Sequence, residues 1–237
     1  MKPYILGHRG APTLAVENSL LSFEKIAKMG VEGAELDIHL TADNKVVVIH
    51  DENIKRLTEK DEYIKNMKYS ELCQYSLKDK FSNTARIPLL TEVLSELKDC
   101  KLINIEIKNY IIDYPDLEKK AVKIVKNMNL SGKVIFSSFN HYSIKKLENV
   151  DSKIETGVLY YSNLFEPWEY AKSLNVNTVH PHYYSVDKNL IDYCHKEGLQ
   201  VFVFGVDNEN KIKKLINLGV DGIITDFPKK ALKFRDG

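Results

Sequence analysis

Eight short apolar runs rich in β-branched residues recur along the chain, and this recurrence restricts the fold more than any other feature. They are YILG at residue 4, GAELDIHL at 33, KLINIEIK at 101, KVIFSSF at 133, IETGVLYY at 154, NTVHP at 177, QVFVFGV at 200 and DGIIT at 221. Most are separated by segments with helical apolar spacing, such as 19–30, 117–130 and 210–220. Eight strand-like runs alternating with helices in 237 residues favour a single (β/α)8 TIM barrel over residues 1–237 rather than a doubly wound open sheet.

The alternation is interrupted once, after the second run. Asp43 and Asn44 provide turn residues, and KVVVIH at 45–50 has the pattern of a strand that returns along the second one. Residues 52–88 then form a polar stretch rich in Lys and Tyr, longer than a usual βα connection. The sequence therefore predicts a hairpin and a small insertion, about 52–88, after the second strand.

Charge and cysteine content exclude several classes of partner. The chain has 34 Lys and Arg against 33 Asp and Glu, a formal net charge of +1, and its basic residues are dispersed, which argues against nucleic acid as a partner.

No run approaches the roughly 18 apolar residues of a membrane span or the apolar region of a signal peptide. The three cysteines are scattered, so neither a disulfide framework nor a zinc site is indicated. We expect a cytoplasmic protein with a small-molecule substrate and no stable membrane association; a homodimer is compatible with the sequence.

Charged side chains share a face on two neighbouring strands. Residues two apart in a strand point the same way, so Glu35 pairs with Asp37, and Glu106 with Lys108. In a parallel barrel the carboxyl ends of the strands form the active-site rim, where three carboxylates need a cation or hydrogen bonds. An all-oxygen set favours Mg2+ or Ca2+ over zinc. The alternative for each carboxylate alone is a salt bridge at the rim.

Two histidines are placed near the same carboxylates. His8 and Arg9 leave the first strand in ILGHRG, a bend whose glycines allow close backbone approach, and His50 ends the returning strand. Imidazoles that titrate near neutrality can act as general acid and base on opposite sides of a reacting phosphorus. His180 and His182, after the sixth run, are further candidates for substrate contact at this rim; a hydrogen-bonded structural histidine is the alternative.

The motifs GHRG, VENS, AELDIHLTADNKVVVIHDENIKRLT, INIEIK and GVDGIITDFP, in this order, resemble the glycerophosphodiester phosphodiesterase family over essentially the whole chain. The resemblance implies a TIM barrel and divalent-metal-dependent hydrolysis of glycerophosphodiesters, such as glycerophosphocholine or glycerophosphoethanolamine, to glycerol 3-phosphate and an alcohol. On matching positions it implies two catalytic histidines, three metal ligands and two residues on the phosphate oxygens: His8 and His50; Glu35, Asp37 and Glu106; Arg9 and Lys108. It further implies attack by the glycerol 2-hydroxyl, with His50 as base and His8 as acid.

The chain departs from the family pattern at two places. Val16 replaces a proline before Glu-Asn, where we interpret Asn18 as a helix cap. Phe204 and Gly205 replace Trp and Thr, and we expect Phe204 to keep part of the apolar contact with the substrate.

Two alternative functions remain open at this stage. A lysophospholipase D would use the aromatic segment YYSNLFEPWEY, residues 160–170, to contact lipid, although Glu166 and Glu169 are unusual at a lipid interface. A barrel that binds phosphodiesters without turnover would lack a metal ligand or a catalytic histidine, and every such position is filled here.

Overall fold

The computed structural model describes residues 2–79 and 83–237. Its strands are β1 (Tyr4–Gly7), β2 (Gly33–Leu40), β3 (Val46–Val48), β4 (Leu77–Lys78), β5 (Thr84–Ala85), β6 (Leu102–Ile107), β7 (Val134–Ser138), β8 (Glu155–Tyr160), β9 (Thr178–Pro181), β10 (Gln200–Val203) and β11 (Gly222–Thr225). Its α-helices are α1 (Leu20–Ala27), α2 (Lys55–Thr58), α3 (Tyr69–Leu72), α4 (Leu90–Leu97), α5 (Leu117–Asn127), α6 (His141–Val150), α7 (Pro167–Ser173), α8 (Lys188–Lys196), α9 (Glu209–Leu218) and α10 (Pro228–Asp236).

Eight parallel strands close into a barrel, as the alternation predicts. The order is β1, β2, β6, β7, β8, β9, β10 and β11, and β1 pairs with both β2 and β11. All eight runs identified in the sequence are strands of this barrel. The TIM-barrel prediction is confirmed.

The core has two main layers. Apolar residues on the outer strand faces pack against the helices, and a smaller cluster of Leu6, Ile135, Phe202 and Ile224 fills the barrel interior. Inward-facing residues further along the strands are mostly polar. This division places charged chemistry above a closed apolar floor.

The hairpin and the insertion are also present. β3 runs antiparallel to β2, with Ile38 opposite Val48. Between β3 and α4, short elements pack around their own apolar cluster, which includes Val47, Ile54, Ile64 and Leu72. The insertion is therefore anchored to the outer side of β3, next to the rim where His50 lies.

Within the described residues, no helix is both long and apolar enough to cross a membrane.

Candidate active site

Three carboxylates from β2 and β6 meet inside the barrel. The strand register sets Asp37 beside Glu106, and Glu35 beside Asn104. One oxygen of each of Glu35, Asp37 and Glu106 can be chosen so that all lie within 4.8 Å of one another, and all three residues are buried. Glu35 and Asp37 lie mid-strand rather than at the strand end, because β2 continues beyond the barrel to pair with β3.

Two cations compensate part of this negative charge. Lys108 Nζ lies 3.0 Å from Asp37 Oδ1 and 2.6 Å from Glu106 Oε1, and Lys108 is only 4% exposed. Arg9 Nε lies 3.6 Å from Asp37 Oδ2. The sequence placed Lys108 and Glu106 on one face, and the structure brings both to Asp37.

The carboxylates differ in their pKa values. Burial and the charge of Asp37 raise the pKa of Glu35 to about 8, and burial also raises the pKa of Glu106. Burial would raise the pKa of Asp37 as well, but the charges of Lys108, His50 and Arg9 outweigh it and hold that pKa well below its ordinary value. With all three carboxylates ionised, the cluster would therefore carry more negative charge than its surroundings neutralise.

A divalent cation fits this cluster. The donors are oxygens only, the set that Mg2+ and Ca2+ prefer. With all three carboxylates ionised, Lys108 and Arg9 leave one net negative charge in the cluster, and a divalent cation would change it to one net positive charge. A net positive charge would attract the phosphodiester anion.

The turn after β1 positions Arg9. Arg9 has φ of +53°, a left-handed conformation that non-glycine residues rarely adopt, and its backbone N–H donates to Glu35 Oε2 at 2.9 Å.

Asn18 is not a helix cap, in contrast to our interpretation from sequence. The Oγ of Ser19 caps α1, whereas the Asn18 amide donates to Asp37 Oδ2 at 2.8 Å. Asn18 thus helps to orient one carboxylate of the cluster.

His8 is paired with a carboxylate from the far end of the chain. His8 Nδ1 lies 2.7 Å from Asp226 Oδ1, just after β11. Burial would lower the pKa of His8, but the hydrogen bond to Asp226 and the charge of Glu35 outweigh it, so the pKa is raised above 6.5. This environment favours a protonated His8.

His50 is paired with its sequence neighbour. His50 Nδ1 lies 2.5 Å from Asp51 Oδ1. Burial would raise the pKa of Asp51, but hydrogen bonds from His50 and Arg56 outweigh it and hold this pKa well below its ordinary value. Because an ionised Asp51 can only accept, Nδ1 of His50 donates and Nε2 is the atom able to accept a proton.

An aromatic wall faces the charged groups across the cavity. Phe139 stacks on Tyr161 with ring centroids 4.9 Å apart, and Phe204 meets both edge-on. All three line the same cavity as His8 and His50. Phe204 therefore lies where the sequence predicts a substrate contact.

The two further histidines lie at different depths. His180 is fully buried in the barrel, within 2.7 Å of Thr178 Oγ1. His182 packs against Phe204, and a Cβ at Gly205 would lie only 2.3 Å from His182 Nε2. The glycine that replaces threonine in the family pattern thus makes room for the His182 ring. Neither histidine is among the residues that line the cavity described above, and His180 fits the alternative of a hydrogen-bonded structural histidine.

Four residues of this site escaped the sequence reasoning: Asp226, Asn18, Glu17 and Asn104. Asn104 is 1% exposed, lines the cavity, and has no hydrogen-bond partner for either amide atom within the described residues. Its position two residues before Glu106, on the same strand face, was the available signal. Nothing local could reveal Asp226, which is 218 residues from His8.

Comparison with known proteins gives consistent results. A sequence model described as the glycerophosphoryl diester phosphodiesterase family matches residues 8–230. The chain is 37% identical over 236 residues to a glycerophosphodiester phosphodiesterase of Caldanaerobacter subterraneus, covering 98% of this chain and 97% of the relative. It is 29% identical over 275 residues to the human lysophospholipase D GDPD1, covering 97% of this chain and 85% of the relative.

Solved structures share the fold. A phosphodiesterase from Oleispira antarctica, determined in complex with the product sn-glycerol 3-phosphate, superposes with a TM-score of 0.88 at 25% identity, covering 99% of this chain and 97% of the other. A glycerophosphodiester phosphodiesterase from Thermotoga maritima superposes with a TM-score of 0.79 at 28% identity, covering 98% of each chain.

Proposed function

Because the chain belongs to the glycerophosphoryl diester phosphodiesterase family, we propose that it hydrolyses glycerophosphodiesters such as glycerophosphocholine and glycerophosphoethanolamine to glycerol 3-phosphate and an alcohol. One observation carries the proposal. Three buried carboxylates, a buried lysine and two carboxylate-paired histidines converge on one cavity at the barrel rim. The solved relative with bound sn-glycerol 3-phosphate supports this substrate class.

Glu35, Asp37 and Glu106 would hold a divalent cation, Mg2+ or Ca2+. When bound there, the cation supplies Lewis-acid polarisation of the phosphoryl oxygens. Contacts with neighbouring residues orient two of these carboxylates. The backbone N–H of Arg9 binds Glu35, and the side chains of Asn18 and Lys108 bind Asp37.

Arg9 and Lys108 would bind the phosphate oxygens. Burial of Lys108 opposes its charge, but Asp37 and Glu106 outweigh burial and raise its pKa, so the ammonium stays charged. Fixed cations at a buried site stabilise charge on the equatorial oxygens more strongly than they would in water.

His50 and His8 would move the protons. The carboxylate of Asp51 keeps the His50 Nδ1 proton in place, so His50 Nε2 takes the proton from the attacking glycerol 2-hydroxyl. His8, whose protonated form is favoured by Asp226, donates a proton to the leaving alkoxide. Opening of the resulting cyclic phosphate by water reverses the two roles.

Phe204 would contact the apolar carbon skeleton of the substrate. Its ring is fixed by edge contacts with Phe139 and Tyr161, so the wall opposite the charges is rigid as well as apolar. This wall leaves the polar side of the substrate facing the carboxylates and histidines.

The test is release of glycerol 3-phosphate from glycerophosphocholine and glycerophosphoethanolamine with Mg2+, with Ca2+ and with a chelator. We expect release that requires a divalent cation. H50A should lower turnover by about 10^2 to 10^4. H195A is the matched control, because His195 is exposed and pairs with Asp221 outside this cavity. No release with either cation, or unchanged turnover in H50A, contradicts the proposal.

Lysophospholipase D activity is the second candidate. A groove of about 370 Å3, lined by Tyr161, Leu164, Phe165 and Tyr170 among others, shares Tyr161 with the catalytic cavity. An acyl chain could lie in this groove while the phosphodiester occupies the cavity. Choline release from lysophosphatidylcholine and from glycerophosphocholine, measured with the same cations, decides between the substrates: faster release from lysophosphatidylcholine would favour the second candidate.

A further inference from the structure

A chain of ion pairs that passes through the insertion joins two residues that line the catalytic cavity, His50 and Arg9. It begins at His50, whose Nδ1 lies 2.5 Å from Asp51 Oδ1, and Asp51 Oδ2 accepts from Arg56 Nε at 2.5 Å. Arg56 belongs to α2, the first helix of the insertion. The Nε–H of its guanidinium thus holds the carboxylate that binds His50.

The Nη1 and Nη2 groups of the same guanidinium bind a second carboxylate. Arg56 Nη2 and Nη1 donate to the two oxygens of Glu17, at 2.6 and 3.0 Å. Glu17 Oε1 also accepts from Arg9 Nη1 at 2.9 Å. The chain that starts at His50 therefore ends at Arg9.

We propose that Arg56 is a positioning residue, whose planar guanidinium sets the orientations of His50 and Arg9 together by binding Asp51 and Glu17. The inference rests on the proposed function for the roles of His50 and Arg9. Asp51 and Glu17 both have pKa values held below their ordinary range, against burial, by these hydrogen bonds, so both present ionised acceptors. A guanidinium supplies several donors in fixed directions, which a lysine cannot do.

Arg56 acts on geometry rather than on stability. Its side chain is 45% exposed, whereas Glu17 and Asp51 are 17% and 27% exposed. Ion pairs with a solvent-exposed partner contribute little to the free energy of unfolding. The two carboxylates, however, have less access to water, and without Arg56 each could rotate away from its catalytic partner.

The experiment compares R56A, R56K and the matched control R86A in the full chain with the divalent cation present. Arg86 also belongs to the insertion, has a side chain 44% exposed, and binds both oxygens of one carboxylate, Glu92. We expect kcat/KM to fall about 10- to 100-fold in R56A, mostly through kcat, as for other residues that orient active-site groups. R56K should remain impaired, and R86A should match wild type. Circular dichroism and the thermal midpoint should be alike in R56A and R86A.

Two further measurements separate orientation from structural damage. Guanidinium ion, added well below denaturing concentrations, should restore activity to R56A and leave R86A unchanged. The side-chain 15N resonances of His50, assigned with H50Q, should shift in R56A at fixed pH and not in R86A. Wild-type kcat/KM in R56A, full activity in R56K, or unchanged His50 resonances would overturn the proposal. The resonances report on Arg56 even if wild type releases no glycerol 3-phosphate, the result that would reject the proposed function instead.

Discussion

The single residue Asp226 favours the protonated form of His8. Its carboxylate lies 2.7 Å from His8 Nδ1, and the pKa of His8 is raised despite burial because of this hydrogen bond. D226N removes the negative charge, so the pKa of His8 should fall. Since the proposed acid must be protonated, the alkaline limb of the kcat/KM profile should move to lower pH, by about one unit on the scale of typical hydrogen-bond shifts.

The profile is measured with glycerophosphocholine and a saturating divalent cation. D221N is the control, because Asp221 forms a similar pair with His195 Nε2, at 2.8 Å, away from the cavity. Its profile should equal that of wild type. An alkaline limb that stays in place in D226N would mean that His8 is not the acid.

Glu32 joins three elements where the barrel closes. Its Oε2 accepts from Ile5 N in β1 at 3.0 Å and from Arg235 Nη1 in α10 at 2.5 Å, and its backbone oxygen accepts from Leu102 N in β6. Glu32 is 7% exposed, and the Arg235 side chain 9%. E32A would leave the buried Ile5 N–H without its acceptor and Arg235 with Asp236 as its remaining carboxylate partner, so we expect the free energy of unfolding to fall by about 2 kcal/mol.

Urea unfolding checks this, and the slope of the transition should be unchanged. E24A is the control, because Glu24 forms an exposed pair with Lys28 within α1 and its loss should have no measurable effect. If E32A and E24A unfold at the same urea concentration, the Glu32 contacts do not close the barrel.

The elements differ in how well the sequence predicted them. Each barrel strand is a local apolar run, and an alternation of such runs with helices has few three-dimensional solutions, so the barrel could be predicted. The insertion could not be resolved into elements, because its apolar residues, such as Ile54, Ile64 and Leu72, are spaced without a helical or strand period. The carboxylates could be predicted as well, because side chains two residues apart on a strand share one face. The pairing of His8 with Asp226 was not, because only closure of the barrel brings β1 to β11.

We expect the candidate metal site to destabilise the whole molecule when no cation is bound. Burial and Asp37 raise the pKa of Glu35 to about 8 from an ordinary 4.5. A carboxyl group with a raised folded-state pKa contributes stability at low pH that is lost as pH rises through the folded value. In a chelator, E35Q should therefore be as stable as wild type below pH 4.5, and more stable at pH 9 by on the order of a few kcal/mol.

A divalent cation should reduce this difference. Wild type gains about 2.7 kcal/mol when the free cation is 100 times its dissociation constant, and E35Q, with one ligand lost, gains less. Thermal unfolding at pH 9, with chelator and then with Mg2+ or Ca2+, measures both halves, and E155Q, a change at an exposed strand end, should follow wild type in each. If wild type is the more stable chain in chelator, the carboxylates are compensated without a cation. If the cation raises both midpoints equally, Glu35 is not a ligand. A difference that shrinks when the cation is added fits a site in which the charges that weaken the empty barrel are the ones that bind the metal.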